Sequence, residues 1–127
     1  TIVELDLRAF VAAHLSEPAT RLTIACVEVP DTSRYGGVLA RDGRLVAFTE
    51  KGSRGAGLIN AGVYGVSRSL LELMPAGPHS FERDVVQPNI HSLAPRVFVT
   101  SGRFIDIGVP EDLERAQHLV PEIGRRG

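Results

Sequence analysis

The chain has 127 residues, of which 43% are hydrophobic, with 14 basic and 15 acidic residues. This length and balance fit one compact globular unit or half of a larger one, and nothing marks the chain as disordered. Near-neutral charge without a run of Lys or Arg argues against nucleic acid or an anionic membrane as the main partner. No apolar stretch approaches the roughly 20 residues that span a bilayer, and no secretory signal opens the chain, so we expect a soluble, cytoplasmic protein.

The first elements in chain order are a helix and a buried strand. Asp6 is suited to cap a helix over about Leu7–Leu15. The run Leu22–Val29 is β-branched and mostly apolar, which is typical of a strand buried on both faces of a mixed sheet. Within it lies the single cysteine, Cys26, which favours a reducing compartment and a core residue rather than a nucleophile. A helix followed by such a strand predicts α/β layering.

A β-hairpin with a polar loop on each side is predicted next. The pair Asp42-Gly43 is a favoured hairpin turn, and it lies between the apolar segments Val38–Ala40 and Leu45–Thr49. Polar, glycine-containing loops at residues 31–37 and 50–57 flank this hairpin. The segment Leu58–Val66, after the second loop, predicts another strand.

Short helices and one strand follow. Ser67 is suited to cap a helical turn that runs to Met74, and Ser80 is suited to cap a helix over about Phe81–His91. The segment Arg96–Thr100 predicts a strand.

The last predicted elements place one carboxylate beside a turn. Phe104–Ile107 predicts a short buried strand, Gly108 a turn, and Pro110–Val120 a helix with proline at its first position. Asp106 lies at the end of this strand. It either braces the turn or is a ligand presented at a site.

Four separate segments, with their order and spacing, need a joint explanation. They are Ser33–Val38, Phe48–Lys51, Leu58–Tyr64 and Phe104–Asp112. Together they resemble the sugar-1-phosphate nucleotidyltransferases, and the resemblance extends over essentially the whole chain. The run Ile-Asn-Ala-Gly-Val-Tyr is most similar to enzymes that join manno-configured sugars to GTP, the mannose-1-phosphate and heptose-1-phosphate guanylyltransferases. The implied fold is α/β: the C-terminal part of a nucleotide-diphospho-sugar transferase (Rossmann-like) domain, with a mixed sheet flanked by helices and a protruding β-hairpin.

The resemblance also implies a reaction. A sugar-1-phosphate oxygen attacks the α-phosphate of a nucleoside triphosphate, GTP in this subclass, and leaves a nucleotide-sugar and pyrophosphate. Because two polyanions must approach each other, a cation from the protein and a Mg²⁺ ion are expected near the reacting oxygens.

The segment after the hairpin carries the candidate cation. By the resemblance, Lys51 is catalytic and holds the sugar phosphate; from composition alone it would be an exposed loop lysine. Glu50 is expected to accept hydrogen bonds from sugar hydroxyls, or else to pair with Lys51 or Arg54. The family usually has a proline after this lysine, and Gly52 in its place makes the loop looser.

Carboxylates in two other segments have different predicted roles. Asp106 matches the second of two family carboxylates that hold Mg²⁺, and is therefore a candidate metal ligand and catalytic residue. Glu82 and Asp84 are interpreted mainly as first-turn charges that favour a helix dipole.

Four further residues are candidates for sugar binding. Gly36 and Gly62 would each leave room beside a ligand; the alternative for Gly36 is an ordinary turn glycine. Tyr35 either lines the sugar pocket or covers the hairpin. Asn60, in an otherwise apolar strand, bonds either to a ligand or to the backbone.

The nucleotide-binding signature of the family has no counterpart in this sequence. That signature is an N-terminal Gly-rich loop with an arginine and a lysine, and a Gly-Asp pair that supplies the first metal ligand. Thr1 is similar to the residue directly after that pair, so residues 1–127 are expected to form the sugar-phosphate-binding half of the domain, inactive without its N-terminal half. Two alternatives stay open: a non-catalytic nucleotide-sugar-binding homologue or regulatory module, and a structural domain with coincidental glycine loops. Homo-oligomerisation is also left open.

Overall fold

A computed structural model of the chain describes residues 2–49, 55–105, 113–118 and 121. The strands are β1 (Ile2–Val3), β2 (Leu22–Val29), β3 (Gly37–Arg41), β4 (Arg44–Thr49), β5 (Gly57–Val66), β6 (Arg96–Thr100) and β7 (Phe104–Ile105). The helices are α1 (Leu7–Leu15) and α2 (Ile90–Leu93), two 3-10 segments (Arg68–Leu73 and Gln87–Asn89) and a π-helical turn (Phe81–Val86). Residues 113–118 are also helical.

β2 belongs to a mixed sheet, as predicted. It pairs antiparallel with β5 and parallel with β6. β3 pairs with both β5 and β4, and the single pair Arg44–Arg96 joins β4 to β6. The five strands therefore close into a ring in the order β2-β5-β3-β4-β6.

Apolar side chains pack on both faces of β2, which confirms the prediction of a doubly buried strand. On one face, Ala25 lies in a cluster with Phe10 of α1. On the other face, Ile24 and Cys26 lie in a larger cluster that includes Val85. Helical segments therefore cover the sheet on two sides, and the core contacts the Phe81–Val86 turn directly.

The helix ends follow their predicted caps in two of three cases. Asp6 Oδ1 accepts a hydrogen bond from the Ala9 amide at 3.0 Å, and Ser80 Oγ accepts one from the Arg83 amide at 3.3 Å. The prediction for Ser67 is wrong, because its side chain makes no capping bond to the 3-10 segment that follows.

The single helix predicted over Phe81–His91 is divided into three short segments, π, 3-10 and α. Pro88 lies in the middle segment. It has no amide hydrogen to donate to the preceding turn, which accounts for the break in the helical ladder.

The strands β1 and β7 pair in a second, two-stranded sheet. Val3 pairs with Phe104 and Ile2 with Ile105. Glu4 supports this pairing through an ion pair with Arg103 at 3.0 Å. A Cβ at position 102 would lie 1.9 Å from the Glu4 carbonyl oxygen, so only glycine fits there. β7 is thereby fixed beside the main sheet.

Candidate functional site

A cavity of about 530 Å³ opens beside the base of the hairpin. It lies between β5, the Phe81–Val86 turn and β7, and this volume is within the range of small-molecule sites. The described residues that line it are Arg34, Tyr35, Gly36, Gly37, Phe48, Thr49, Asn60, Gly62, Tyr64, Glu82 and Phe104.

The cavity brings together four of the residues that the sequence predicts for sugar binding. Tyr35 and Gly36 precede β3, whereas Asn60 and Gly62 belong to β5, and all four line the same space. The other three candidates, Glu50, Lys51 and Asp106, lie outside the described residues.

Aromatic and cationic groups form one wall. The Tyr35 ring packs edge-on against Phe104 with ring centroids 5.8 Å apart. The guanidinium carbon of Arg34 lies 5.8 Å from the centroid of the same Tyr35 ring, within reach of a cation–π interaction. Tyr35 therefore lines the cavity and packs against β7, and its role in sugar binding stays a prediction.

Three contacts with described residues hold the Asn60 side chain. Its Oδ1 accepts a hydrogen bond from the Gly62 amide at 2.8 Å, and its Nδ2 donates to the Tyr64 hydroxyl at 2.6 Å. Nδ2 also lies 3.4 Å from Glu82 Oε1. These contacts fix the orientation of both polar atoms of the Asn60 side chain, Oδ1 and Nδ2, at the cavity wall. Ligand binding by Asn60 stays a prediction.

A β-bulge in β5 produces this arrangement. Tyr64 is opposite Ile24 and Asn60 is opposite Cys26, so the register between β2 and β5 shifts here. Gly62 lies inside the bulge with φ at 81°, a left-handed conformation that favours glycine. Two residues of β2 span only about 7 Å, and the bulge confines the Asn60-to-Tyr64 segment to the same distance.

Glu82 is a cavity residue that the sequence analysis missed. It lies in the first turn of its helical segment, as predicted, but its side chain also borders the cavity and accepts a hydrogen bond from the Tyr64 hydroxyl. Tyr64 itself packs edge-on against Phe81, with centroids 5.0 Å apart. A phenol in an apolar strand needs a hydrogen-bond partner when buried, and this signal pointed to a polar group near Tyr64.

Asp84 behaves differently from Glu82, although both are first-turn acids. It accepts hydrogen bonds from the Ser80 amide at 2.8 Å and from Arg83 Nε at 3.0 Å. The role predicted for Asp84, a charge that stabilises the start of the helix, therefore accounts for its contacts.

Burial sets the protonation of two groups near the cavity. Burial, and secondly the hydrogen bond to Glu82, raises the pKa of Tyr64 well above its usual value, so the phenol keeps its proton and donates. Burial also raises the pKa of Cys26 to about 12. Cys26 is fully buried as an uncharged thiol, which confirms its interpretation as a core residue.

The Mg²⁺ prediction rests on a residue beyond the described ranges. Asp106 is the proposed ligand and is not among the residues with a described position. Within those ranges, no three His, Cys, Asp or Glu side chains cluster so as to hold a metal ion. No helix in the described part of the chain is long and apolar enough to cross a membrane.

Known proteins are similar to this chain in both sequence and fold. No protein-family model matches it. It is 36% identical over 118 residues to the D-glycero-alpha-D-manno-heptose 1-phosphate guanylyltransferase of Aneurinibacillus thermoaerophilus, covering 92% of this chain and 51% of that protein. The enzyme of the same name from Campylobacter jejuni is 35% identical, covering 88% of this chain and 49% of the relative.

Solved structures give the same result. The crystal structure of HddC from Yersinia pseudotuberculosis superimposes with a TM-score of 0.77 at 38% identity, covering 90% of this chain and 49% of HddC. HddC complexed with GMP-PN superimposes with a TM-score of 0.74 at 37% identity. The fold is therefore that of a nucleotide-diphospho-sugar transferase. The chain belongs to the sugar-1-phosphate nucleotidyltransferase family, and it spans about half the length of these relatives.

Proposed function

We propose that the protein containing this chain transfers GMP from GTP to a heptose- or mannose-type sugar 1-phosphate, releasing pyrophosphate and a nucleotide-sugar. The observation that carries this proposal is the cavity, in which Tyr35, Gly36, Asn60 and Gly62 converge from separate segments. The guanylyltransferase names of the relatives support the choice of GTP and of a manno-configured sugar. A nucleoside triphosphate as substrate also favours a cytoplasmic location.

The chemistry of the cavity wall suits a sugar. Asn60, Tyr64 and Glu82 present amide, hydroxyl and carboxylate groups, which can exchange hydrogen bonds with sugar hydroxyls. Tyr35 and Phe104 provide apolar surface for the C–H faces of a sugar ring. We therefore propose that residues 1–127 form the sugar-phosphate-binding half of the enzyme.

Both proposed catalytic residues follow closely on cavity residues in the chain. Lys51 comes two positions after Thr49, and Asp106 comes two positions after Phe104; both Thr49 and Phe104 line the cavity. We propose that Lys51 holds the sugar phosphate, that Glu50 binds a sugar hydroxyl, and that Asp106 is a ligand of Mg²⁺. This ion would supply charge neutralisation between the two phosphates.

We further propose that another half-domain supplies the nucleotide site and covers α1. Leu7, Val11 and Leu15 recur every four residues along this helix, and they are 62%, 44% and 69% exposed. Such a stripe is typical of a helix face that packs against another element. The relatives, which are about twice as long, contain the additional polypeptide that could cover it.

The test is pyrophosphate release by the longest polypeptide that the gene encodes. GTP, Mg²⁺ and mannose 1-phosphate or a heptose 1-phosphate are supplied together, and reactions without sugar phosphate or with ATP serve as controls. We expect release that depends on GTP and on the sugar phosphate, and Asp106→Asn should weaken both turnover and the response to Mg²⁺. Sugar-nucleotide binding without release would instead assign the protein as a non-catalytic binding homologue.

A further inference from the structure

We propose that Glu82 is a sugar-binding residue whose carboxylate, oriented by Tyr64, accepts hydrogen bonds from hydroxyl groups of the sugar 1-phosphate. This inference rests on the proposed function, because it assigns one wall of the same cavity to the sugar ring.

Among the residues that the structure describes, the contacts of Glu82 involve one of its two carboxylate oxygens. Oε1 accepts the hydrogen bond of the Tyr64 hydroxyl and lies 3.4 Å from Asn60 Nδ2. Oε2 makes no hydrogen bond to any residue in the described ranges, and the half-buried side chain lines the cavity. An ionised carboxylate only accepts hydrogen bonds, so its natural partners in a ligand are hydroxyl donors.

The surroundings of Glu82 hold it in place before any ligand arrives. Val85 and Val86, on the same helical turn, are fully buried in the core. The capping bond that Ser80 Oγ accepts from the Arg83 amide fixes the start of this turn, and the Tyr64 ring packs against Phe81. A carboxylate fixed in this way loses little conformational freedom on binding, which favours affinity.

Charge decides which end of the substrate Glu82 can face. A carboxylate repels the phosphate of a sugar 1-phosphate, whereas it attracts hydroxyl hydrogens. The Glu82 side of the cavity should therefore receive the sugar ring. Glu82 should then disfavour anions that carry no hydroxyl donors, inorganic phosphate among them.

The experiment compares Glu82→Gln with Glu72→Gln by calorimetric titration of the full protein. Glu72 is an exposed glutamate outside the cavity lining, so its variant controls for the loss of one negative charge. The probes are mannose 1-phosphate, its 2-, 3-, 4- and 6-deoxy analogues, and inorganic phosphate. Glu82→Asp, which keeps the charge on a shorter side chain, is measured in the same way if Glu82→Gln does not fold.

We expect Glu82→Gln to weaken binding of mannose 1-phosphate about 10-fold, the effect of losing one charge-assisted hydrogen bond. At least one deoxy analogue should bind the wild type and the variant equally, because it lacks the hydroxyl that Glu82 contacts. Inorganic phosphate should bind the variant at least as well as the wild type.

An equal loss for every probe, or no loss for mannose 1-phosphate, would overturn the assignment and leave Glu82 a structural partner of Tyr64. These outcomes are distinct from a failure of the proposed function, in which the wild type itself would bind no sugar phosphate and release no pyrophosphate.

Discussion

The side-chain nitrogen Nδ2 of Asn60 lies 2.6 Å from the hydroxyl oxygen of Tyr64, although the two residues are four positions apart on one strand. In a regular strand, four residues span about 13 Å. The contact therefore depends on the bulge at Gly62, and so does the shape of the cavity wall.

Gly62→Ala should destabilise the protein and weaken ligand binding together. An alanine at φ of 81° adopts a left-handed conformation that costs about 1–2 kcal/mol, and relief of this strain would straighten the bulge. Chemical denaturation measures the loss of stability, and titration with mannose 1-phosphate measures the loss of binding.

Gly77→Ala is the matched control for this change. Gly77 has nearly the same φ, 80°, and lies outside the cavity lining. It should lose a similar free energy of unfolding and keep its affinity. Equal losses of affinity in the two variants would mean that the bulge does not shape the site.

Tyr64 should make stability fall at alkaline pH. Its pKa is raised in the folded protein by burial and by the hydrogen bond to Glu82, whereas the unfolded chain loses the phenol proton near pH 10.0. The contribution of the protonated Tyr64 phenol to the free energy of unfolding is therefore complete below pH 10, and it is lost as the pH rises towards the pKa of Tyr64 in the folded protein.

Absorbance titration can follow this ionisation directly, since the chain has two tyrosines and no tryptophan. The native protein should show a late phase well above pH 10, and Tyr64→Phe should remove it. A late phase that persists in Tyr64→Phe would show that the Tyr64 hydroxyl is not the buried donor.

The sequence predicted those parts of the fold that depend on local chemistry. The hairpin turn formed where Asp42-Gly43 stands, with φ at 52° and 75°, because this pair tolerates the left-handed backbone that the turn requires. The doubly buried β2 and the Asp6 cap are confirmed for the same reason: each depends on neighbours in the chain.

A local sequence pattern could not predict contacts between segments that are distant in the chain. The hydrogen bond between Tyr64 and Glu82 joins residues 18 positions apart, and it depends on a register shift in β5 that no spacing rule indicated. The resemblance to a family singled out Tyr35, Gly36 and Asn60 from two motifs that are each continuous in sequence, and all three line the cavity. It missed Glu82, whose position at the start of a helix already had a sufficient explanation.

Cys26 should resist alkylation in the folded state. Its thiol is fully buried and its pKa is raised to about 12, so almost no reactive thiolate is present at pH 8. Mass spectrometry after iodoacetamide treatment should show no adduct in buffer and one adduct in denaturant, because the chain has a single cysteine. Rapid labelling of the native protein would contradict the assignment of Cys26 to the core.

Lys51→Ala should lower turnover by roughly 100-fold or more, the effect of removing a group that stabilises developing charge. Lys51→Arg keeps the charge and serves as the comparison, and it should recover part of the activity. Steady-state pyrophosphate release in the full-length protein measures both variants. Wild-type turnover in Lys51→Ala would remove this lysine from the mechanism.

The central claim is that the cavity beside the hairpin binds a sugar 1-phosphate. The most direct measurement is a heteronuclear NMR titration of the isotope-labelled protein with mannose 1-phosphate, and with inorganic phosphate as the comparison. The account predicts saturable shifts, induced by the sugar phosphate, that are concentrated at the amides of Tyr35, Gly36, Asn60, Gly62 and Glu82. Shifts that avoid these residues, or no saturable shifts at all, would contradict it.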